Sequence, residues 1–173
     1  MIVGPESTGK SSLCEQLSQH FQTIWCREYA REYLLKYGTN YSFDNLLTIA
    51  KGQWELEHNA VEEAQQNQYS CLFIDTDQYV MKVWCEFVFN QCHTWILNRV
   101  VDQQQDLYLL CKPDLPWVKD ELREYPNEKP RQELYHIYRD ILIEQSLPWV
   151  EIKGDYDKRL ETAIEAVQQH VAV

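Results

Sequence analysis

The chain has 173 residues, the length of one ordinary domain. Hydrophobic residues make up 45% of it and charged residues 25%, a composition that excludes a disordered or collagen-like chain. The net charge of −11 at pH 7 disfavours double-stranded DNA and anionic membranes as partners, so any bound polyanion must be small and met by nearby cations. No apolar run reaches the roughly 18 residues that a membrane helix requires.

The six cysteines indicate a reducing compartment. None of them forms a Cys-x-x-Cys pair, and a chain of this length can build a core without disulfides. The first six residues lack the basic and apolar regions of a signal peptide. We therefore expect a cytoplasmic protein with reduced thiols and no structural zinc.

Short apolar runs alternate with helical patterns along the chain, which predicts an α/β fold with a mainly parallel sheet. The predicted strands are residues 1–3, 23–26, 71–74, 107–111 and 150–152. Apolar residues at helical spacing predict helices over 13–21, 43–66, 79–87, 134–142 and 160–171. The segment 112–130 has no such period: it contains four prolines and many charges, as is typical of a functional or disordered loop.

The first predicted strand is followed by a sequence that matches G-x-x-x-x-G-K-[ST]. This motif predicts a P-loop NTPase, a three-layer α/β fold in which helices cover both faces of a parallel sheet. The glycines let backbone N–H groups turn toward phosphate oxygens, and the helix N-terminus adds positive potential. Lys10 is expected to reach the β- and γ-phosphates of ATP, and the Ser11 hydroxyl to bind Mg²⁺. The alternative is a glycine turn that only caps a helix. The predicted phosphate-binding residues are Gly4, Glu6, Ser7, Thr8, Gly9, Lys10, Ser11 and Ser12.

Carboxylates follow the third predicted strand, as Asp75-Thr76-Asp77. P-loop enzymes hold the metal, or the waters bound to it, at the end of a second strand. We therefore assign Asp75, with Ser11, to Mg²⁺. An aspartate in this position is also a common helix N-cap, and Asp77 is as consistent with a cap as with a functional role.

Charged residues also follow the second predicted strand, where Arg27 and Arg31 are expected to share one helix face. Glu28 comes just after the carboxyl end of that strand, the edge at which open parallel sheets bind ligands. A carboxylate there could accept the proton of a substrate hydroxyl, so Glu28 is the predicted general base. The rival assignment gives the base role to Asp75 and leaves Glu28 in a helix ion pair with Arg31.

The proline-rich segment is the predicted lid, with Arg123 inside it and Arg131 at the following helix start. Phosphoryl transfer is accelerated by cations that close over the transferring group and by the exclusion of water, and a lid with two arginines would provide both. The alternative is an exposed loop whose arginines are merely solvated.

These motifs together resemble the ribosylnicotinamide kinase domain of the bacterial multifunctional NAD-biosynthesis regulators and their stand-alone relatives. The resemblance covers nearly the whole chain, and it is specific because several motifs recur in order. They are GPESTGKS at residues 4–11, EYARE at 28–32, Gly52-Gln53, DTD at 75–77 and PWVKDELR at 116–123.

The resemblance implies a single nucleoside-kinase-like domain over residues 1–173, with a lid at about 112–130, that transfers the γ-phosphate of ATP to the 5′-hydroxyl of nicotinamide riboside. The implied cofactors are ATP and Mg²⁺. By position, the implied catalytic residues are Lys10, Glu28, Asp75, Arg123 and Arg131. The implied nucleoside contacts are Glu28, Arg31, Gln53, Asp77, Trp117 and Asp120. Two departures from the family pattern, Glu121 for glycine and Met81 for threonine, affect the lid and one pocket contact.

The multifunctional relatives also carry a DNA-binding module and an adenylyltransferase domain, for which 173 residues leave no room, so we expect no repressor activity. We expect small-molecule partners only, with neither nucleic acid nor membrane, and leave homo-oligomers open. The pyridinium of nicotinamide riboside could be held by cation–π contact with Trp25, Trp54 or Trp84. The competing functions are phosphorylation of another nucleoside or small metabolite, a nucleotide-dependent regulatory ATPase, and a sensor of nicotinamide nucleotides with negligible turnover.

Overall fold

A computed structural model of the protein describes residues 1–102 and 105–171. Within these residues the chain forms five strands and seven helices. The strands are β1 Ile2–Val3, β2 Trp25–Cys26, β3 Phe73–Ile74, β4 Tyr108–Cys111 and β5 Trp149–Ile152. The helices are α1 Lys10–His20, α2 Tyr29–Tyr37, α3 Phe43–Gln66, α4 Gln78–Phe89, α5 Thr94–Asp102, α6 Glu128–Glu144 and α7 Tyr156–His170. None of the described helices is long and apolar enough to cross a bilayer.

The strands form a parallel sheet, as predicted. β1 pairs with β4 and β4 with β5, while β2 pairs with β3, all in parallel. A parallel bridge between Ile2 and Asp75 joins the two groups, which gives the strand order β2-β3-β1-β4-β5. The carboxyl ends of β1, β2 and β3 therefore lie side by side at one edge, where the three predicted motifs begin.

Alternate side chains of the strands point to opposite faces, and each face carries its own core. Val3, Ile74 and Leu110 pack against α4 and α6. Ile2 and Leu109 point the other way, against α1 and α7. Together these two cores confirm the predicted three layers. A third apolar cluster joins α2, α3, α4 and α5 beside the sheet.

The structure corrects several predicted boundaries. β2 and β3 each begin two residues later than predicted because the Thr23 hydroxyl bonds the Cys71 carbonyl at 2.6 Å, where a strand ladder was expected. α5 was not predicted, and of its residues only Ile96 is fully buried. α2 begins at Tyr29, so the prediction that Arg27 and Arg31 share a helix face is wrong. Arg27 precedes the helix and lies over the Trp25 ring.

Candidate active site

A cavity opens at the edge where β1, β2 and β3 end. Residues 4–12 form its floor, and the start of α2 forms one wall with Glu28 and Arg31. The lid, which we define as residues 112–127 because α6 begins at Glu128, contributes a further wall that includes Asp120 and Arg123. All eight predicted phosphate-binding residues therefore line the same cavity as the predicted base.

The phosphate-binding loop has the backbone that its glycines permit. Gly4 has φ 141°, and a Cβ there would lie 2.6 Å from the Cys111 carbonyl oxygen, so the end of β1 can approach β4 only without a side chain. Gly9, with φ 78°, immediately precedes α1. The Lys10 ammonium donates to the Pro5 carbonyl at 3.0 Å and so spans the loop. This arrangement points the loop and the α1 N-terminus at the cavity, as phosphate binding requires.

Asp75 is tied to the phosphate-binding loop. Ser11 Oγ donates to Asp75 Oδ2 at 2.5 Å, and Asp75 is fully buried at the bridge to β1. Asp75 Oδ1 is buried without a hydrogen-bond partner among the described residues. Burial raises the pKa of Asp75, while the Lys10 charge and the Ser11 hydrogen bond lower it.

The donor set of Asp75 and Ser11 fits Mg²⁺. A carboxylate oxygen without a partner, next to a hydroxyl, suits a hard cation that takes most of its ligands from phosphate and water. Across residues 1–102 and 105–171, His, Cys, Asp and Glu nowhere gather in a group of three that could hold a metal. A magnesium ion here would therefore depend on Ser11, Asp75 and the nucleotide.

Asp77 has a structural role. Its Oδ1 accepts from the Val80 backbone N–H at 3.1 Å, which caps α4, and its Oδ2 accepts from the Tyr108 hydroxyl at 3.0 Å. The residue is fully buried and lies outside the cavity lining. The structure thus shows the cap, and the contact of Asp77 with the nucleoside stays a prediction. Thr76, between the two aspartates, has φ 77°, an outlying value for a β-branched residue of the sort found next to functional sites.

Glu28 precedes α2, and its side chain makes no capping bond there. Burial, and then the nearby Asp75 charge, raise the pKa of Glu28 to about 7, while Lys10 and Arg31 oppose the shift. Arg31 forms its ion pair with Asp120 instead, at 3.0 Å between Nη2 and Oδ2. Glu28 is therefore the cavity carboxylate that can exchange a proton near neutral pH.

Gln53 holds the backbone around Glu28. Its Oε1 accepts from the Tyr29 N–H at 2.7 Å, and its Nε2 donates to the Arg27 carbonyl at 3.4 Å. Gln53 is 1% exposed and lies outside the cavity lining, so the structure shows its amide in contact with the backbone, and its contact with the nucleoside stays a prediction. Gly52 makes this packing feasible, because a Cβ there would lie 2.2 Å from the Tyr29 ring.

The two predicted lid arginines differ in position. Arg123 lines the cavity and donates to the Val118 carbonyl within the lid. Arg131 lies in α6, 5% exposed and outside the lining, and its Nε and Nη1 are buried without a hydrogen-bond partner among the described residues. Trp117 also lies outside the lining and donates its indole N–H to Glu6 at 3.4 Å.

The aromatic wall of the cavity was predicted only in part. Of the three tryptophans considered, only Trp84 lines it, whereas Trp25 lies beneath Arg27 and Trp54 packs on His58. The other aromatic residues of this wall are Phe87, Tyr125 and Tyr138. The helical spacing of Trp84 and Phe87 in α4 indicated burial and did not distinguish a cavity from the core, whereas Tyr125 lies in the lid, which has no such spacing.

Arg159, for which the sequence predicted no role, joins the phosphate-binding loop to the last helix. Its guanidinium donates to the carbonyls of Thr8 at 3.0 Å and Lys112 at 2.9 Å, and it pairs with Asp114. Arg159 is 2% exposed. A single arginine in an amphipathic helix carries no sequence signal for such a contact.

Residues 1–159 match a family model described as AAA domain. The chain is 28% identical over 173 residues to the trifunctional NAD biosynthesis/regulator protein NadR of Escherichia coli (strain K12) and 26% identical over 175 residues to that of Salmonella typhimurium. Both alignments cover 97% of this chain and 41% of the relative. The chain therefore spans less than half the length of the curated relatives it matches.

Two solved structures have the same fold. A crystal structure of NadR protein in complex with NR has a TM-score of 0.82 and 25% identity, covering 99% of this chain and 50% of that one. A crystal structure of NadR protein in complex with NAD and AMP-PNP has a TM-score of 0.76 and 22% identity, covering 99% and 49%. At that identity the second structure supports the fold alone.

Proposed function

The chain belongs to the AAA-domain family and is homologous to the NadR proteins, and on this premise we propose that it is an ATP-dependent kinase for nicotinamide riboside. The reaction moves the γ-phosphoryl group of ATP to the 5′-hydroxyl and yields nicotinamide mononucleotide and ADP. The observation that carries the proposal is the shared cavity, in which a phosphate-binding loop faces a carboxylate whose pKa is about 7. We further propose that residues 1–173 act as one kinase domain, in the cytoplasm.

The loop and its neighbours would hold the nucleotide. The backbone N–H groups of residues 4–12 and the Lys10 ammonium bind phosphate oxygens, and Lys10 releases the Pro5 carbonyl to do so. Ser11 and Asp75 would hold Mg²⁺, which when bound neutralises charge on the phosphates. Arg123 reaches the same cavity from the lid and stabilises charge on the transferring group. Arg131 remains a second candidate for that role.

Glu28 is the proposed general base. The proton of the 5′-hydroxyl passes to its carboxylate, the hydroxyl oxygen bonds to the γ-phosphorus, and the bond from that phosphorus to the β,γ-bridging oxygen breaks as ADP leaves. A base is most effective when its pKa is close to the working pH, and a pKa of about 7 meets that condition.

The acceptor would lie between the lid and the aromatic wall. Trp84 and Tyr125 offer ring faces to a planar base, and Glu124 and Asp120 add negative charge near a pyridinium cation. Asp120 and Arg31, which form an ion pair and both line the cavity, are the proposed contacts to the ribose. The crystal structure of NadR protein in complex with NR, the usual abbreviation of nicotinamide riboside, supports this acceptor.

A nucleoside panel tests the proposal. The purified chain is incubated with ATP and Mg²⁺ and with nicotinamide riboside, nicotinic acid riboside, uridine or no nucleoside, and both ADP and nucleotide product are measured. We expect ADP formation to depend on a nucleoside and to be fastest with nicotinamide riboside. ADP formation independent of any nucleoside would support a regulatory ATPase instead, and a preference for another nucleoside would reassign the acceptor.

A further inference from the structure

The side chain of Glu6 projects from the phosphate-binding loop toward the lid. Its Oε1 accepts from the Tyr125 N–H at 2.7 Å and from the Trp117 indole N–H at 3.4 Å, and its Oε2 accepts from the Glu124 N–H at 2.8 Å. Three donors from one segment thus converge on one carboxylate. Hydrogen bonds to a charged acceptor are about twice as strong as neutral ones.

A neighbouring contact reinforces this attachment. Ser7, the next loop residue, accepts from the Val118 N–H at 3.2 Å through its hydroxyl. Val118 in turn accepts through its carbonyl from the Arg123 guanidinium. The contacts at 117–118 and at 124–125 flank Arg123 on both sides, so they determine where this arginine stands above the loop.

A carboxylate is a poor ligand for a phosphate, because both are anions. The Glu6 side chain therefore binds the lid and not the nucleotide. The backbone of Glu6 remains available to the phosphates of the nucleotide. We propose that Glu6 is a positioning residue that anchors the lid to the phosphate-binding loop, holding Arg123 over the transferring group and keeping water out. The second half of this inference rests on the proposed kinase reaction, and the first half does not.

Amide hydrogen exchange tests the anchor without any substrate. In the full chain, Glu6→Ala should increase exchange of the Glu124 and Tyr125 amides by at least about tenfold, the effect expected when a hydrogen bond to a charged group is lost. Amides of β4 should exchange as in the parent, which separates lid release from global destabilisation. The matched control is Glu15→Ala, the same change at an exposed position of α1. Unchanged exchange at Glu124 and Tyr125 overturns the proposal.

Kinetics test the consequence for transfer. With ATP and nicotinamide riboside, Glu6→Ala should lower kcat by about tenfold and leave the KM for ATP within about twofold. The ratio of ADP formed to nucleoside phosphorylated should rise, because an unanchored lid admits water. A raised KM for ATP with parent-like amide exchange would make Glu6 a direct nucleotide ligand and overturn the anchor.

A second variant, Glu6→Gln, keeps the anchor testable if Glu6→Ala does not fold. Glu6→Gln keeps the size and one acceptor oxygen and loses the charge, so its exchange rates should lie between those of the parent and those of the alanine variant. Parent-like exchange in Glu6→Gln, with Glu6→Ala unfolded, also overturns the proposal. If the parent does not phosphorylate nicotinamide riboside, the proposed function fails, while the exchange measurements still decide the anchor.

Discussion

The ends of β2 and β3 carry carboxylates of the same kind in different surroundings. Asp75, after β3, is fully buried and accepts from Ser11 in the phosphate-binding loop. Glu28, after β2, lines the cavity, and its side chain does not cap the helix that follows. Burial is the main cause of a raised pKa in both.

The difference indicates separate roles for the two carboxylates. A carboxylate bonded to the loop serine is placed to share a cation with the nucleotide, whereas a carboxylate that faces the cavity can exchange a proton with an acceptor. The role of each carboxylate thus follows from the groups that it contacts, because the two side chains have the same chemistry. The rival assignment, with Asp75 as the base and Glu28 in an ion pair with Arg31, loses support because Arg31 pairs with Asp120.

The largest expected effect comes from Glu28→Gln, which keeps the shape of the side chain and removes its ability to take up a proton. General base catalysis contributes roughly 10²–10⁴-fold, so kcat should fall by that order with ATP affinity nearly unchanged. The measurement is steady-state transfer at saturating ATP and nicotinamide riboside. Glu32→Gln, an exposed change in α2, is the matched control. A loss of less than about threefold would return the base role to Asp75.

Lys10→Ala removes the ammonium group whose charge lowers the pKa of both Glu28 and Asp75. Loss of a charge contact to the transition state costs on the order of 3–4 kcal/mol, so kcat should fall roughly 10²–10³-fold. The fold should survive, because the lysine bonds only the Pro5 carbonyl among the contacts described. Thermal unfolding provides the check on folding, and parent-like turnover would remove the loop from the mechanism.

The pH dependence of activity separates the two carboxylates further. With the pKa of Glu28 at about 7, kcat/KM should fall toward acid below that pH, approaching tenfold per unit as the base is protonated. The residual activity of Glu28→Gln should lack this acid limb. An acid limb of unchanged midpoint in Glu28→Gln would show that another group titrates.

Gln53→Ala tests whether the Glu28 backbone must be held. The change leaves the partly buried Tyr29 N–H without its acceptor, and an unsatisfied donor costs at most about 1–3 kcal/mol of unfolding free energy. We expect kcat to fall about tenfold with little change in the KM for ATP, since only the base is displaced. Gln65→Ala, at an exposed position of the same helix, is the control. A raised KM for the nucleoside with kcat unchanged would restore Gln53 as a substrate contact.

The smallest effect is on stability. A raised pKa means that the folded protein holds the Glu28 proton more tightly than the unfolded chain, whose carboxyl has a pKa near 4.5. Its contribution to stability is therefore complete below pH 4.5 and is lost as the pH rises through about 7. The difference in Tm between Glu28→Gln and the parent should therefore be more positive at pH 8 than at pH 4.5. An equal difference in Tm between Glu28→Gln and the parent at both pH values would contradict the raised pKa of Glu28.

The phosphate-binding loop could be predicted because its chemistry is local. Its glycines, Lys10 and Ser11 are consecutive residues, and a strand before them and a helix after them suffice to give the loop its conformation. The positions of Glu28 and Asp75 were also predictable, because each follows an apolar run and parallel strands end at one edge. The long helix α3 has the bounds that its apolar spacing predicted, and the structure adds a capping box between Ser42 and Asn45 at its start.

Contacts between distant positions could be predicted only where a motif placed both residues at the same site, as for Ser11 and Asp75. Glu6 and Tyr125 are 119 residues apart, and neither a motif nor a periodicity links them. For the same reason Gln53 was predicted as a substrate contact, although its amide is used by the backbone beside Glu28. The hydrogen bond from the Tyr108 hydroxyl to Asp77 is a further contact that the sequence did not indicate.

The sequence by itself determined the class of fold and the phosphate-binding loop. It also determined the two strand ends that bring carboxylates close to this loop. These features depend on neighbours along the chain. The tertiary structure decided which carboxylate faces the cavity, which of the two predicted arginines lines it and which tryptophan lines it. Those choices depend on desolvation and on partners brought together by packing, and both arise only when the sheet, the helices and the lid are assembled.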